Sequence, residues 1–186
     1  MGNLSALTDP KELLPYLPVF LPGLQEILVD AVPEARAISA KAIGNMVGKV
    51  GEKNFPGLVD QLFQILNSDT STVDQSGAAQ GFSKIFAALG TIRLDSVFTD
   101  ILFGTTNTRQ YVREGNMTLL MFLPITFGEK FTSYLPRIVP VVLKCLADEA
   151  EAVRNCSLRV GQIVVRNFAN SAVDLLMPEL EVGMSK

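Results

Sequence analysis

Four polar residues, Arg36, Gln75, Arg113 and Arg154, recur at intervals of roughly 38 to 41 positions. This period constrains the fold of the chain more than any other feature. Each anchor stands near the start of a segment whose apolar residues return every three or four positions. After Arg36 these are Ile38, Ala42, Ile43, Met46, Val47 and Val50. Apolar residues at that spacing lie on one face of a helix. A shorter apolar segment and a short turn precede each one, the turns at Asn67–Ser71 and Gly104–Thr108 being rich in Asn, Ser or Thr, and Pro33 sits at a first helical position. A helix pair repeated at this period cannot bury its apolar faces alone, so it buries them against its neighbours.

An Asp, a short turn, an apolar residue, an Arg and a helix rich in small residues form the signature of a HEAT repeat. The chain is read as an all-α, right-handed α-solenoid of four helix pairs plus a truncated fifth. The repeats fall at about 9–51, 54–90, 92–128, 130–168 and 171–186, in one array without an internal domain boundary. Thr8-Asp9-Pro10 is a helix start. A bend or restart is expected between Pro18 and Pro22, and a kink at Pro124. Gly51 and Gly90 are expected to close helices. In the second repeat the Arg is missing, and either Asp74 or Gln75 takes its place. No alternation of strand type is sustained anywhere.

The 186 residues are 48% hydrophobic with a formal net charge of −3, enough for a body with a real core. The acidic balance argues against a dedicated nucleic-acid binder. There is no apolar run of membrane-spanning length and no signal-peptide pattern. Met1-Gly2 does not complete a myristoylation motif, because the sixth residue is Ala6. The chain has no His, which removes the commonest general base and metal ligand. Gly77, Gly81 and Gly90 follow no strand, so they read as small residues for helix packing and not as a dinucleotide fingerprint. Asp69 to Asp74 lacks the Gly and the distal Glu of a calcium loop. Cys145 and Cys156 match no zinc spacing and read as reduced, mostly buried thiols. No catalytic residue, metal or cofactor is expected.

Several stretches are more specific than a repeat consensus. They are Asp9-Pro10-Lys11-Glu12-Leu13-Leu14-Pro15-Tyr16, Ser39-Ala40-Lys41-Ala42, Ser76-Gly77-Ala78-Ala79-Gln80-Gly81, Leu123-Pro124-Ile125-Thr126-Phe127-Gly128 and Leu146-Ala147-Asp148-Glu149. Through them nearly the whole chain resembles the very large HEAT-repeat translational activators of general amino-acid control, in the region related to the HEAT domain of elongation factor three. The resemblance implies a piece of a larger cytoplasmic scaffold with no membrane association. Its implied partners are stalled or collided ribosomes and an ABC-type ATPase. It also implies promotion of the kinase that phosphorylates initiation factor two alpha under amino-acid starvation, through a kinase-binding segment elsewhere in the parent. A generic HEAT adaptor, of the nuclear-transport or ubiquitin-ligase type, is the alternative that the repeat pattern alone leaves open.

Two sets of residues are singled out on this reading. In HEAT arrays an Arg of one repeat meets an Asp of the next, so Arg36 is expected to pair with Asp69 and Arg113 with Asp148, as framework. Lys41, Lys49 and Lys53 form one basic group, and Lys130, Arg137 and Lys144 another. These are candidate contacts to a partner or to ribosomal RNA phosphates, the alternative being solvated faces. Finally, Leu13, Leu17 and Leu21 at one end and Leu175, Leu176 and Leu180 at the other are expected to lack a covering repeat and to drive self-association.

Overall fold

The computed structural model describes residues 10–171, and among these there is no strand. Nine helices follow one another in these residues: α1 Pro10–Leu13, α2 Leu17–Leu28, α3 Pro33–Val50, α4 Leu58–Leu66, α5 Thr72–Leu89, α6 Thr91–Gly104, α7 Gln110–Phe127, α8 Leu135–Cys145 and α9 Glu151–Asn167. Single 3-10 turns occupy Leu14–Tyr16, Glu52–Asn54 and Gly128–Tyr134. The fold class is the all-α helical repeat that the period requires. Contacts divide the chain into two compact units at Thr99 and Asp100.

In the first unit, α2 pairs with α3 and α4 with α5, and α3 packs along α5. The prolines act earlier than the sequence suggested. Pro15 lies in the 3-10 turn, the helix restarts at Leu17 with Pro18 in its first turn, and Pro22 is carried inside α2. α3 and α5 end at Gly51 and Gly90 with φ of +87° and +91°, a conformation that costs a residue with a Cβ more than it costs glycine. Small residues bring α3 and α5 together in parallel. A methyl group on Gly44 would lie 2.8 Å from the Lys84 Cβ, and one on Gly48 would lie 3.0 Å from the Ala88 Cβ. Gly77 is tighter still, since a Cβ there would overlap the Leu28 carbonyl oxygen. Around this seam Phe82 stacks on Phe86 at 4.3 Å and meets the edge of Phe63 at 4.9 Å. Ile43, Phe82, Ile85 and Phe86 are fully buried.

In the second unit, α8 and α7 each pack on α9. Phe131, fully buried, stacks on Tyr134 at 5.1 Å and lies 6.4 Å from both Phe127 and Phe168. α7 continues through Pro124 to Phe127. Gly104 lies directly against the side chain of Asn116, whose Nδ2 donates to the Val112 carbonyl at 2.8 Å. One bond recurs in both units: the Ser39 hydroxyl donates to the Leu24 carbonyl at 2.5 Å, and the Ser157 hydroxyl to the Val142 carbonyl at 2.7 Å. Each ties a second helix to the first helix of its pair.

One expectation about the ends is corrected. Leu17 is 6% exposed and Leu13 and Leu21 are half-buried, because the restart at Leu17 turns that residue into the core. The leucines at 175, 176 and 180 lie outside the described residues.

The glycine seams separate packing from helix propensity. Gly77→Ala is expected to destabilise the chain by about 1–3 kcal/mol, as overpacking does, although alanine is the better helix former. Gly23 lies inside α2 with nothing within 4 Å of a Cβ, so Gly23→Ala is expected to stabilise by up to about 1 kcal/mol. Urea unfolding of the two variants checks both signs.

Candidate functional site

The polar residues of the repeat converge on the turns between paired helices. Three turns share one construction. An Asp or Asn side chain accepts a hydrogen bond from the backbone two residues on: Asp30 from Val32 N at 2.7 Å, Asn107 from Arg109 N at 2.9 Å, and Asp148 from Ala150 N at 2.9 Å. Asx turns of this kind start the following helix. Six residues after the Asx, an arginine Nη1 reaches back to two carbonyls of the same turn. Arg36 donates to Asp30 O and Ala31 O at 2.7 and 3.1 Å, Arg113 to Asn107 O and Thr108 O at 2.9 and 3.1 Å, and Arg154 to Asp148 O and Glu149 O at 2.7 and 2.9 Å. The fork satisfies carbonyls of the turn itself, which lie outside both helical ladders. In the second pair Gln75 takes the place of Arg, with Nε2 3.4 Å from both Leu66 O and Ser68 O. There the helix start is capped by Ser71, which accepts from Asp74 N at 3.1 Å.

The expected links between neighbouring repeats differ from each other. Arg113 holds Asp148 through two bonds of 2.9 Å, from Nε and Nη2, and Nη2 also reaches Glu149 at 3.2 Å. Both members of the Arg113–Asp148 pair are largely buried, with side chains 8% and 12% exposed. Desolvation pushes the Asp148 carboxyl up, but hydrogen bonds from Arg113 and from Ala150 N outweigh it and hold the group below its ordinary value. Arg36 and Asp69 form no such pair. Asp69 is exposed, and the Arg36 Nε, though buried, has no partner among the described residues. The two turns differ locally: the Asp148 side chain also accepts from Ala150 N, whereas the helix after Asp69 is capped by Ser71.

A second ion pair was not anticipated from the sequence. Arg93 Nη2 meets Glu52 at 2.7 Å, with its guanidinium 5.2 Å from the Phe86 ring centre. Both side chains are about one-third exposed, so the pair contributes little. Nothing in the local spacing signals it, because the partners are 41 positions apart.

The basic groups occupy surface positions. Lys41 on α3 is exposed, Lys49 near its end is half-buried, and Lys53 is exposed in the following 3-10 turn. Lys130 is exposed in the turn before α8, and Arg137 and Lys144, seven residues apart, share one exposed face of α8. No residue of the first group takes part in an ion pair among the described residues. Both cysteines are free, Cys145 buried and Cys156 half-buried. Burial pushes both thiols above the usual range. Among the described residues no group of three or more His, Cys, Asp or Glu is placed to hold a metal ion. No helix there is long and apolar enough to cross a membrane.

Helix pairs whose polar residues serve their own turns define an all-α helical-repeat segment. Over 184 residues the chain is 42% identical to the eIF-2-alpha kinase activator GCN1 of Saccharomyces cerevisiae, and over 186 residues it is 45% identical to the stalled ribosome sensor GCN1 of Homo sapiens. Each match covers 99% of this chain and 7% of the relative. The protein ILITYHIA of Arabidopsis thaliana is 41% identical over 174 residues, 93% of this chain and 6% of the relative. The chain is thus homologous to one segment of the GCN1 proteins and spans about 7% of their length. No protein-family model matches it.

Loss of the Arg113–Asp148 pair should cost more than loss of the Arg93–Glu52 pair. Arg113→Ala leaves a largely buried carboxylate and two turn carbonyls unmet, and is expected to destabilise by about 3 kcal/mol. Glu52→Ala should cost at most about 1 kcal/mol. Because the Asp148 carboxyl is held below its ordinary value, its contribution is full above the aspartate range and drains as pH falls through that range. The stability gap between wild type and Asp148→Asn should therefore close on acidification below about pH 4. Denaturant titrations across pH check both. The thiols should react with a maleimide far more slowly than free cysteine at neutral pH, Cys145 more slowly than Cys156.

Proposed function

We propose that this chain is a non-catalytic scaffold segment of a cytoplasmic, ribosome-associated translational activator. In this reading the whole protein senses stalled or collided ribosomes and promotes activation of the initiation factor two alpha kinase under amino-acid starvation. The carrying observation is identity of 42–45% to the GCN1 proteins along nearly the whole chain. An ABC-type ATPase and the kinase itself would be engaged through the whole protein. The chain's own contribution would be contact with the ribosome, through ribosomal RNA phosphates facing Lys41, Lys49 and Lys53 or Lys130, Arg137 and Lys144.

Co-sedimentation with purified ribosomes across a salt series tests this. Phosphate contacts predict binding that weakens steeply as salt rises. Changing one trio to Glu should reduce both the affinity and the salt slope, and changing the other should not, which would locate the surface. Absence of binding at low salt, or binding indifferent to both trios, would remove the RNA-contact reading.

A further inference from the structure

The two units build one turn to the same plan but load it differently. The turn between α4 and α5, 67–71, and the turn between α8 and α9, 146–150, are equal in length. In that register Asp69 stands for Asp148, Thr70 for Glu149, Ser71 for Ala150 and Gln75 for Arg154. The arginines that face these turns match as well. Arg36 and Arg113 each donate from Nη1 to two carbonyls of the turn behind them, and α3 packs on α5 as α7 packs on α9. In the second unit the following turn fills the other edge of Arg113: Nε and Nη2 hold Asp148, and Nη2 reaches Glu149 at 3.2 Å. In the first unit that edge has no acceptor among the described residues. Arg36 is 8% exposed, its Nε is enclosed without a partner, and its side-chain bonds all run from Nη1.

Of the two turn positions that serve Arg113, the first unit keeps an acid at one, the exposed Asp69, and has a hydroxyl at the other. We propose that Thr70 is a phosphorylation site whose phosphate takes the Nη2 edge of Arg36, as Glu149 takes that of Arg113. A protein kinase would move the γ-phosphoryl group of a nucleoside triphosphate onto Thr70 Oγ1. The new P–O bond forms as the bond to the β-phosphate breaks, the hydroxyl proton passes to a base of the kinase, and the nucleoside diphosphate leaves. Thr70 is exposed, and its hydroxyl has no partner among the described residues. The neighbouring hydroxyls are engaged or misplaced. Ser68 donates to the Gln64 carbonyl and Ser71 caps α5. Thr72 stands for Glu151, which forms no ion pair with Arg113. A phosphate on Thr70 would lie at the N-terminus of α5, where negative charge is favoured. It would also face a guanidinium whose planar fork matches its oxygens. Modification thus gives the enclosed arginine a counter-charge, and gives the first joint the ionic link that Asp148 and Glu149 supply permanently in the second unit.

Phosphorus NMR of the full chain with phosphothreonine placed at position 70 tests the contact. The second ionisation of such a phosphate ordinarily falls near about pH 6. In the folded chain it is expected about 0.5 lower than in the same chain unfolded in urea, because a facing guanidinium favours the dianion. Arg36→Gln should remove most of that difference. The fold accommodates Gln at the corresponding place in the second pair, where Gln75 reaches two turn carbonyls. A titration unchanged by folding, or a lowered value that survives Arg36→Gln, would overturn the contact. Should Arg36→Gln fail to fold, Thr70→Glu and Thr70→Gln decide. The urea midpoint is expected to rise for Glu alone, and equal midpoints count against the proposal. Phosphopeptide mapping of the whole protein from growing and from amino-acid-starved cells is expected to find phosphate on Thr70. Phosphate confined to Ser68, Ser71 or Thr72, or none on this turn in either state, would remove Thr70 as the site.

Discussion

The arginine that reaches back from the second helix of a pair to the turn behind it is the interaction on which the rest of the architecture depends. A tight helix–turn–helix leaves carbonyls of the turn, such as Asp30 O and Ala31 O, outside both helical ladders. Water can satisfy them only where the turn is open, and Arg36 and Arg113 are buried. A guanidinium has donors enough for two carbonyls from one nitrogen, with its other edge left over. That spare edge makes the repeat extensible. In Arg113 it grips Asp148, joining one pair to the next. In Arg36 the same edge does not reach Asp69. Where arginine is present it thus serves the turn, and in Arg113 it also serves the joint between repeats.

Glycine and serine set how closely helices approach once the turns are fixed. Gly44, Gly48 and Gly77 remove the side chains that would hold α3 from α5 and α2 from α5. Ser39 and Ser157 tie helices across each pair. Phe82 and Phe131 then fill the space that these contacts define. The hierarchy explains why the chain carries so little charge inside: the joints are mostly steric, and the buried polar groups are nearly all spent on backbone.

The helix pairs were legible because the apolar spacing and the recurring anchors report the same period. The Asx residue six positions before each arginine, Asp30, Asn107 and Asp148, was also present in the sequence, and it is the signal that separates the turn bond from the joint between repeats. Reading Arg36 and Asp69 as a pair failed because spacing reports which residues are equivalent, not where a side chain points. At that turn Ser71 caps the helix and Asp69 lies exposed. Glu52 with Arg93 was illegible for a different reason. It joins a 3-10 turn to a helix 41 positions away, and no local pattern encodes such a contact. The restart at Leu17 shows the same limit, since three nearby prolines specify that a helix is interrupted but not at which residue.

The inequality between the Arg36 and Arg113 sites has a consequence for how cooperatively the chain behaves. In a repeat array, stability is a sum of repeat terms and nearest-neighbour terms, and cooperativity resides in the latter. The first unit is joined by close apolar and glycine contacts, whose strength follows temperature through their hydration. The second carries a largely buried ionic joint, whose strength follows protonation. Acid therefore loosens the largely buried ionic joint of the second unit and in the first reaches only the part-exposed Arg93–Glu52 pair, whereas cooling weakens the apolar contacts of both.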